Sequence, residues 1–320
     1  MTEAVKPKCT IIIVNWNGRD SLSEFLKSIV KFESVEELQV IVSDNGSVDG
    51  SLEMCKDFNF LEVVENGENI GFGGGNNRAI PLAKSDYILF ANPDMLFIEP
   101  VIERLIDALD SDPKLGACGP KIFNADGSFM RQCKRGFPDP LTSFFYVSGL
   151  SYIFPSSKRV GKYFLSHLSE DEPTDVDALS GSFFLAKSSA LREVGEFDES
   201  YFLFVEEVDL FLRMRRAGFR LRYEPSVKIV HIGGACFEAM PNRKPFYSYH
   251  MTRSHLILWA RERLAGKSVF NSVGYHIAFI LIIIRYAVVS IVQLNLRFFS
   301  HAWEFFRIHF GAIEKGSVKG

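Results

Sequence analysis

Short apolar runs alternate with helical patterns in the N-terminal part of the chain. A buried strand has about four to eight apolar residues bounded by turn residues. Four segments fit that description, namely residues 10–14, 38–42, 60–64 and 87–90. Residues 21–30 space their apolar side chains as a helix does, and a further helix is predicted over residues 76–83. Strands alternating with helices indicate an α/β fold with a Rossmann-like, mainly parallel sheet flanked by helices.

Polar side chains follow three of these strands. Asn15 follows the first strand, Asp44 follows the second, and Asn92 with Asp94 follows the fourth. In parallel sheets, ligands collect beyond the carboxyl ends of the strands. We therefore expect these side chains to face one crevice.

The pattern changes after residue 124. Residues 124–175 are rich in Pro, Ser, Gly and aromatic residues, and they predict long loops over the mouth of the crevice. Residues 176–185 read as a strand interrupted at Ser180-Gly181-Ser182, and a helix is predicted over residues 205–214. Residues 222–232 are extended and contain His231 near their end.

The C-terminal segment is basic and apolar. Residues 243–320 hold 11 Lys or Arg and 3 Asp or Glu, a balance of +8, whereas residues 1–242 balance to −11. Such asymmetry often marks a membrane or an anionic partner. We therefore divide the chain into a catalytic domain, residues 1–242, and a helical tail, residues 243–320, that associates with a membrane.

Two helices are predicted in this tail. The first is amphipathic and covers residues 247–263, and the second lies between residues 268 and 296, where Arg285 is the only charged residue. The second is apolar on every side and has to be buried in protein or lipid. A charge in the middle of a span costs at least about 2.5–3.5 kcal/mol, so we favour a helix or hairpin in one leaflet, with basic flanks on anionic headgroups. A single crossing is the second interpretation, and a soluble dimer interface is the third.

Composition narrows the class of protein. The net charge of −3 argues against a dedicated nucleic-acid binder. The five cysteines are scattered without a C-x-x-C pair, which predicts a reducing compartment and neither a zinc site nor a disulfide framework. Residues 10–14 are too short for the apolar core of a signal peptide, so we expect the catalytic domain to stay in the cytosol.

Two acidic clusters could carry chemistry. Asp94 ends a loop stiffened by Pro93, where a carboxylate could hold a hard cation against phosphates, although an isolated N-P-D is more often a capped turn. Glu206, Glu207 and Asp209 place three carboxylates within four residues. Crowding raises the pKa of such groups and suits a general base, whereas composition alone favours an ordinary helix start.

A lone histidine and a glycine-rich run are the other candidates. His231 could supply nitrogen to a metal ion, although a lone histidine is more often a hydrogen-bonded structural residue. Residues 69–78 include Gly71 and Gly73, which would let the backbone approach a phosphate at a helix start. The run fails the G-x-G-x-x-G fingerprint, and no G-K-[ST] follows it.

In this order, the segments resemble the family 2 glycosyltransferases, which are inverting enzymes with the GT-A fold. Within that family they resemble the bacterial rhamnosyltransferase-like branch that builds cell-surface polysaccharide. Each segment alone is a weak signal, whereas eight in register are specific. The matching segments are residues 11–18, 42–51, 69–78, 92–94, 180–184, 195–199, 204–210 and 231.

The resemblance implies a role for each matching residue. With the glycine-rich run, the predicted nucleotide-sugar site consists of Asn15, Asp44, Asn45, Ser47, Gly71, Gly73, Asn76, Arg78, Asn92 and Gly181. Asp94 would hold Mg²⁺ or Mn²⁺ against the diphosphate. Because Asn92 replaces the usual first Asp of the metal motif, His231 becomes the more important candidate for a second metal ligand. The catalytic base falls on Glu207, where most members carry Asp, and this leaves the choice between Glu206 and Glu207 open.

The implied reaction needs no covalent enzyme intermediate. Glu207 would accept the proton of an acceptor hydroxyl while that oxygen attacks the anomeric carbon from the opposite face. The implied donor is a nucleotide diphosphate sugar, with rhamnose suggested by the branch. The implied acceptor is a cell-surface glycan or a polyprenyl-linked sugar, and the tail would hold the enzyme at the cytoplasmic face of the cell membrane.

Two alternative functions are also compatible with parts of the sequence. A sugar-nucleotide pyrophosphorylase also uses an α/β nucleotide crevice and a divalent ion, but it usually needs a basic glycine-rich loop near the N-terminus. Residues 16–19 do not supply that loop. A catalytically inactive membrane scaffold that binds nucleotide is the second rival, and the joint presence of Asp44, Asp94, Glu207 and His231 argues against it.

Overall fold

A nine-stranded mixed sheet is central to the computed structural model, which describes residues 6–233, 243–266, 273–292 and 298–309. The strands in chain order are β1 (Cys9–Asn15), β2 (Leu38–Asp44), β3 (Leu61–Glu65), β4 (Tyr87–Ala91), β5 (Met95–Phe97), β6 (Leu115–Asn124), β7 (Lys134–Arg135), β8 (Thr174–Val176), β9 (Ala178–Leu179), β10 (Phe183–Lys187) and β11 (Arg220–His231). Along the sheet the order is β3-β2-β1-β4-β10-β6-β11-β5, with β8 paired to β11, while β7 and β9 form a separate pair.

Helices flank this sheet. In chain order they are α1 (Arg19–Phe32), α2 (Ser51–Cys55), α3 (Gly71–Ala79), α4 (Ile102–Asp110), α5 (Pro140–Val147), α6 (Leu150–Ile153), α7 (Ser188–Val194), α8 (Glu206–Arg216), α9 (Arg243–Leu264), α10 (Val273–Val292) and α11 (Phe298–His309). The inner strands β1 and β2 are buried along nearly their whole length, as expected of parallel strands covered on both faces. The prediction of an α/β, mainly parallel sheet flanked by helices is confirmed.

The strand directions bring the predicted polar residues to one edge. β1 is parallel to β2 and to β4, and Asn15 lies opposite Asp44 in the register. β10 runs antiparallel to β4 and places Phe183 opposite Ala91, so the residues that precede β10 lie at the same edge. β11 brings His231 opposite Met95. This edge therefore contains the ends of β1, β2, β4 and β11 and the starts of β5 and β10.

The glycine-rich run lies inside a helix, so the predicted helix start at Asn76 is wrong. α3 begins at Gly71, which has a φ of +83°. A Cβ at Gly71 would lie 2.2 Å from the carbonyl oxygen of Phe202, and one at Gly75 would lie 2.7 Å from Val14 Cγ1. Glycine weakens an isolated helix by about 1 kcal/mol, but here its absent side chain lets α3 pack closely between β1 and the segment before α8.

Residues 124–175 are more ordered than the predicted long loops. They contain β7, α5 and α6. α5 begins with Asp139 as its N-cap, whose side chain accepts a hydrogen bond from the Thr142 backbone N–H at 2.8 Å, and Pro140 occupies the first turn. These short elements could not be predicted from composition, because a high content of Pro, Ser and Gly is typical of both loops and helix caps.

The first helix of the predicted tail packs against the catalytic domain. In α9, Trp259 is fully buried and its Nε1–H donates to the carbonyl oxygen of Pro138 at 2.8 Å. Glu262 of α9 accepts two hydrogen bonds from Arg216 of α8, at 2.6 and 2.7 Å. The predicted boundary between residues 242 and 243 adjoins residues 234–242, which lie outside the described residues.

The second tail helix has one buried and one exposed face. α10 buries Ile282 and Tyr286, while Ile277, Ile280, Ile284 and Val288 are each about half exposed. Residues 268–272 and 293–296 of the predicted apolar segment lie outside the described residues. Among the helices that the structure describes, none combines the length and the apolar character needed to cross a membrane.

Candidate active site

A polar network joins the ends of β1 and β2. Asn15 Nδ2 donates to Asp44 Oδ2 at 2.9 Å and to Ser47 Oγ at 3.1 Å, and the backbone N–H of Ser47 donates to Asp44 Oδ1 at 2.8 Å. Asn15 Oδ1 is buried and has no hydrogen-bond partner in the described part of the chain. A buried acceptor without a partner is costly, so this network is suited to accept a donor group from a ligand or a water molecule.

Asn45 connects this network to α3. Its Nδ2 donates to the carbonyl oxygen of Gly71 at 3.0 Å and lies 3.4 Å from Asn69 Oδ1. Its backbone N–H donates to the carbonyl oxygen of Asn15 at 2.8 Å. Asn45 therefore fixes the first turn of α3 relative to the polar edge of the sheet.

The remaining predicted residues of the glycine-rich run differ in exposure. A Cβ on Gly73 would lie 3.1 Å from Phe197 Cβ, so this glycine, like Gly71, faces protein. Asn76 is buried, its Nδ2 donates to the Phe72 carbonyl at 3.0 Å, and its Oδ1 has no partner among the described residues. Arg78 is exposed in the last turn of α3. Close packing accounts for the two glycines, and a phosphate contact by this run stays a prediction.

Asp94 and His231 form the second feature of the site. The Ile232 backbone N–H donates to the Asp94 carbonyl oxygen at 2.9 Å, which extends the pairing of β11 with β5. Asp94 Oδ1 lies 3.1 Å from His231 Nε2, yet both atoms are buried and neither has a hydrogen-bond partner among the described residues. Two buried polar atoms that approach without a hydrogen bond between them fit a pair of ligands that share a cation.

The spacing of this pair suits Mg²⁺ or Mn²⁺. Two neighbouring ligands of an octahedral ion bound at about 2.1 Å lie about 3.0 Å apart. No group of three or more His, Cys, Asp or Glu side chains that could hold a metal ion occurs in the described segments. Two protein ligands would leave the other coordination positions for substrate phosphates and water, as is usual for Mg²⁺.

The loop before β10 links this pair to the predicted base. The backbone N–H of Asn92 donates to the Ser182 carbonyl oxygen at 2.8 Å. A Cβ on the neighbouring Gly181 would lie 3.0 Å from Glu207 Cγ and 3.1 Å from Glu207 Cδ. A side chain at position 181 would push against Glu207, so the absence of a Cβ at Gly181 allows the Glu207 side chain its present position beside this loop.

Glu207 is buried in an ion pair with Arg135. Arg135 Nη2 donates to Glu207 Oε1 and to the Leu179 carbonyl oxygen, each at 2.6 Å, and the two side chains are 14% and 9% exposed. Burial lowers the pKa of the Arg135 guanidinium, but the charge of Glu207 and the Tyr163 hydroxyl together raise it above its usual value. Glu207 Oε2 accepts no hydrogen bond from the described residues, so one carboxylate oxygen is held and the other can take a proton.

Glu206 has the opposite electrostatic environment. Burial, followed by the charge of Glu207, raises the pKa of Glu206 well above its usual value. Its Oε2 is buried without a partner among the described residues. Its surroundings therefore favour the protonated form of Glu206, whereas Glu207 is paired with the Arg135 guanidinium. This difference favours Glu207 as the base.

A strained turn places these carboxylates. Phe204 and Val205 have φ values of +67° and +72°, a conformation that a β-branched residue rarely adopts and that costs about 1–3 kcal/mol per residue. α9 holds the preceding segment, because Ser254 Oγ donates to the Leu203 carbonyl and Arg253 Nη1 donates to the Ser200 carbonyl, each at 2.8 Å. The tail helix therefore supports the start of α8.

Arg135 and the α9 residues were not identified from the sequence. Arg135 lies in residues 124–175, where neither a helical nor an alternating period was visible. Arg253 and Ser254 lie in a helix predicted to face a membrane. No local motif marks either group, since their importance depends on contacts with residues far along the chain.

Two solved glycosyltransferases share this fold. GalNAc-T7, solved with UDP, GalNAc and Mn²⁺, superposes with a TM-score of 0.53 at 16% identity, covering 78% of this chain and 51% of its own. The mannosyltransferase PcManGT from Pyrobaculum calidifontis, solved with GDP-Man and Mn²⁺, superposes with a TM-score of 0.53 at 16% identity, covering 97% of this chain and 87% of its own. The fold is therefore that of the GT-A glycosyltransferases.

Proteins with related sequences identify the family of glycosyltransferases to which the chain belongs. The pattern of glycosyl transferase family 2 matches residues 10–193. The chain is 30% identical over 233 residues to the N-acetylglucosaminyl-diphospho-decaprenol L-rhamnosyltransferase of Mycobacterium tuberculosis, covering 69% of this chain and 75% of the relative. It is 28% identical over 276 residues to rhamnosyltransferase WbbL of Escherichia coli K12, covering 82% and 97%. The chain belongs to glycosyl transferase family 2, which confirms the predicted family, and it is a glycosyltransferase.

Proposed function

We propose that this enzyme transfers rhamnose from a nucleoside diphosphate donor to a polyprenyl-diphosphate-linked sugar, with inversion at the anomeric carbon. The observation that carries the proposal is the buried ion pair of Glu207 with Arg135, in which Glu207 lies against Gly181 next to the turn that contains Asp94. The choice of rhamnose and of a lipid-linked acceptor is supported by the names of the two rhamnosyltransferase relatives.

The donor site lies along the carboxyl ends of β1, β2 and β4. Asp44 and Asn15, already ordered by Ser47, would bind the base and ribose of the nucleotide. Asp94 and His231 would hold the divalent ion. When bound, that ion supplies positive charge that stabilises the departing nucleoside diphosphate.

Glu207 would act on the acceptor. Its Oε1 is fixed by Arg135, and its Oε2 would accept the proton of the acceptor hydroxyl as that oxygen attacks the anomeric carbon. The C–O bond to the acceptor forms as the bond to the diphosphate breaks, so the proton ends on Glu207 and the negative charge on the nucleoside diphosphate. The fixed position of the carboxylate reduces the entropy cost of this arrangement.

A donor screen tests this function. With Mn²⁺ and dTDP-, UDP- or GDP-sugars, we expect slow release of nucleoside diphosphate without acceptor, and faster release with polyprenyl-diphosphate-linked N-acetylglucosamine. The measurement is chromatography of the nucleotides, with a parallel reaction containing pyrophosphate. A pyrophosphorylase would instead form nucleoside triphosphate, and an inactive scaffold would release nothing from any donor. Either of these results contradicts the proposal.

We also propose that the tail binds an anionic membrane surface, where a polyprenyl-linked acceptor resides. The exposed side chains of α10 form an aliphatic stripe with helical spacing, made of Ile277, Ile280, Ile284 and Val288. Residues 243–320 add the balance of +8. An apolar stripe can insert among acyl chains, and basic residues attract anionic headgroups. The combination of the two favours binding to an anionic lipid surface.

Vesicle flotation checks this interaction. The full chain should float with phosphatidylglycerol vesicles and less with phosphatidylcholine vesicles, and high salt should weaken binding because charge attraction is screened. Ile280→Asp with Ile284→Asp should reduce flotation at least tenfold. Leu82→Asp, at an exposed apolar residue of the catalytic domain, is the matched control. Unchanged flotation of the α10 variant would show that this stripe does not meet the lipid.

A further inference from the structure

A pocket beside Glu207 is bounded partly by the tail helix. Its volume is about 50 Å³. The residues that line it include Arg135, Tyr163 and Glu207 of the catalytic domain and Met251 and His255 of α9. The pocket therefore lies between the proposed base and a helix that the sequence assigned to membrane association.

The chemistry of this pocket suits a sugar. Most of its lining is apolar, including Phe204, Val208 and Met251, and the polar groups are few and converge near Glu207. Apolar and aromatic walls pack against the C–H faces of a pyranose, and a few fixed polar groups orient its hydroxyls. A cavity of about 150 Å³ holds a benzene molecule, so a pocket of about 50 Å³ holds one edge of a sugar ring rather than a whole ring.

His255 is held in this lining by a contact within its own helix. Its Nδ1 lies 2.8 Å from the Met251 carbonyl oxygen. A carbonyl can only accept, so Nδ1 carries the hydrogen of this bond. The contact fixes the imidazole ring in the lining of the pocket, to which Glu207 also contributes.

The walls are rigidly connected. Phe204 is in the strained turn before α8, and its ring centroid lies 4.6 Å from that of Tyr247 in α9. Ser254 of α9 holds the same turn through the Leu203 carbonyl at 2.8 Å. α9 therefore supports the turn that positions the base, and it contributes directly to the pocket next to that base.

We infer that α9 forms one wall of the acceptor site, and that the acceptor sugar inserts its reactive edge between Met251, His255 and Glu207. A nucleophile has to come within hydrogen-bond reach of its base, and this pocket is next to Glu207 and is lined by two different parts of the chain. The inference rests on the proposed function and identifies where its acceptor binds. Met251 and His255 are positioning residues for that acceptor.

Filling the pocket tests the inference. In the full chain, Met251→Trp should raise KM for polyprenyl-diphosphate-linked N-acetylglucosamine at least tenfold and lower the ratio of transfer to donor hydrolysis by a similar factor. His255→Ala should raise the same KM several-fold. Both variants should retain the thermal shift caused by nucleoside diphosphate with Mn²⁺, because that site lies at the Asp94 side. Leu264→Trp adds the same bulk at an exposed position of α9 and should leave KM unchanged.

The outcomes separate the two proposals. If wild-type enzyme releases nucleotide from no donor, the proposed function is wrong. If wild-type enzyme transfers sugar, and a variant that still binds nucleotide keeps the wild-type KM and transfer ratio, the acceptor does not use this pocket. Should Met251→Trp lose nucleotide binding through misfolding, His255→Ala decides the question by the same two measurements.

Discussion

Replacing Glu207 with glutamine is expected to lower kcat for transfer by about 10²–10⁴-fold, the usual contribution of a general base. Glutamine keeps the shape of the side chain and an oxygen for Arg135, but it cannot take a proton. Nucleotide binding should persist, because Glu207 lies beside the Gly181 loop and is not part of the polar network of Asn15, Asp44 and Ser47 that is proposed to bind the nucleotide. Single-turnover transfer kinetics and a thermal shift with nucleoside diphosphate and Mn²⁺ measure the two effects separately.

Glu206→Gln is the matched control. Glu206 is next to Glu207 and is also buried, but burial and the neighbouring charge raise its pKa and favour the protonated form. Glutamine resembles that protonated form, so kcat should fall by less than about tenfold. Full activity in Glu207→Gln, or an equal loss in both variants, would contradict the assignment of the base.

The stability of Glu206→Gln relative to the wild type should depend on pH. The pKa of Glu206 is raised in the folded chain above its usual value of 4.5, so above about that pH the unfolded chain binds fewer protons than the folded chain. The contribution of Glu206 to the free energy of unfolding of the wild type therefore falls as pH rises through this range. Because glutamine does not titrate, Glu206→Gln should gain more stability over the wild type at pH 8 than at pH 5, which denaturant titrations measure.

Replacing Asp94 with alanine should weaken Mn²⁺-dependent nucleotide binding by at least about 100-fold. Loss of even an outer partner of a metal ligand costs about 10–100-fold in affinity, and Asp94 is proposed as a ligand itself. Calorimetry with nucleoside diphosphate, with and without Mn²⁺, gives the result. The loss should appear only in the presence of the ion.

Two further variants sharpen this measurement. His231→Ala should produce a loss of the same kind, since its Nε2 shares the site with Asp94 Oδ1. Asp57→Ala removes an exposed carboxylate elsewhere on the surface and should leave binding unchanged. If Asp94→Ala binds nucleotide as well as the wild type in the presence of Mn²⁺, the ion is held by other groups.

The polar edge of the sheet could be predicted because parallel strands align their ends. Asn15 and Asp44 each follow a run of apolar, β-branched residues, so their proximity follows from strand order alone. The approach of His231 to Asp94 did not follow from periodicity, because β11 and β5 are antiparallel neighbours that lie far apart in the chain. That pairing came from the family resemblance.

The acidic cluster could be noticed in the sequence, but the partner of Glu207 could not. Three carboxylates within four residues, together with the family resemblance, predict a base at Glu206 or Glu207. The choice between them depends on burial and on Arg135, which the sequence does not reveal. The glycine-rich run was misread for a similar reason. Gly71 is needed because the Phe202 backbone crosses it, and such a close approach becomes visible only when the chain is folded.

The contacts of α9 have a practical consequence for handling the enzyme. Truncating the chain near residue 240 to remove its apolar C-terminal tail would expose the surface that Trp259 covers. It would also remove the hydrogen bond from Ser254 to the Leu203 carbonyl. Shortened versions intended for purification should therefore end beyond Leu264, where the last turn of this helix is complete.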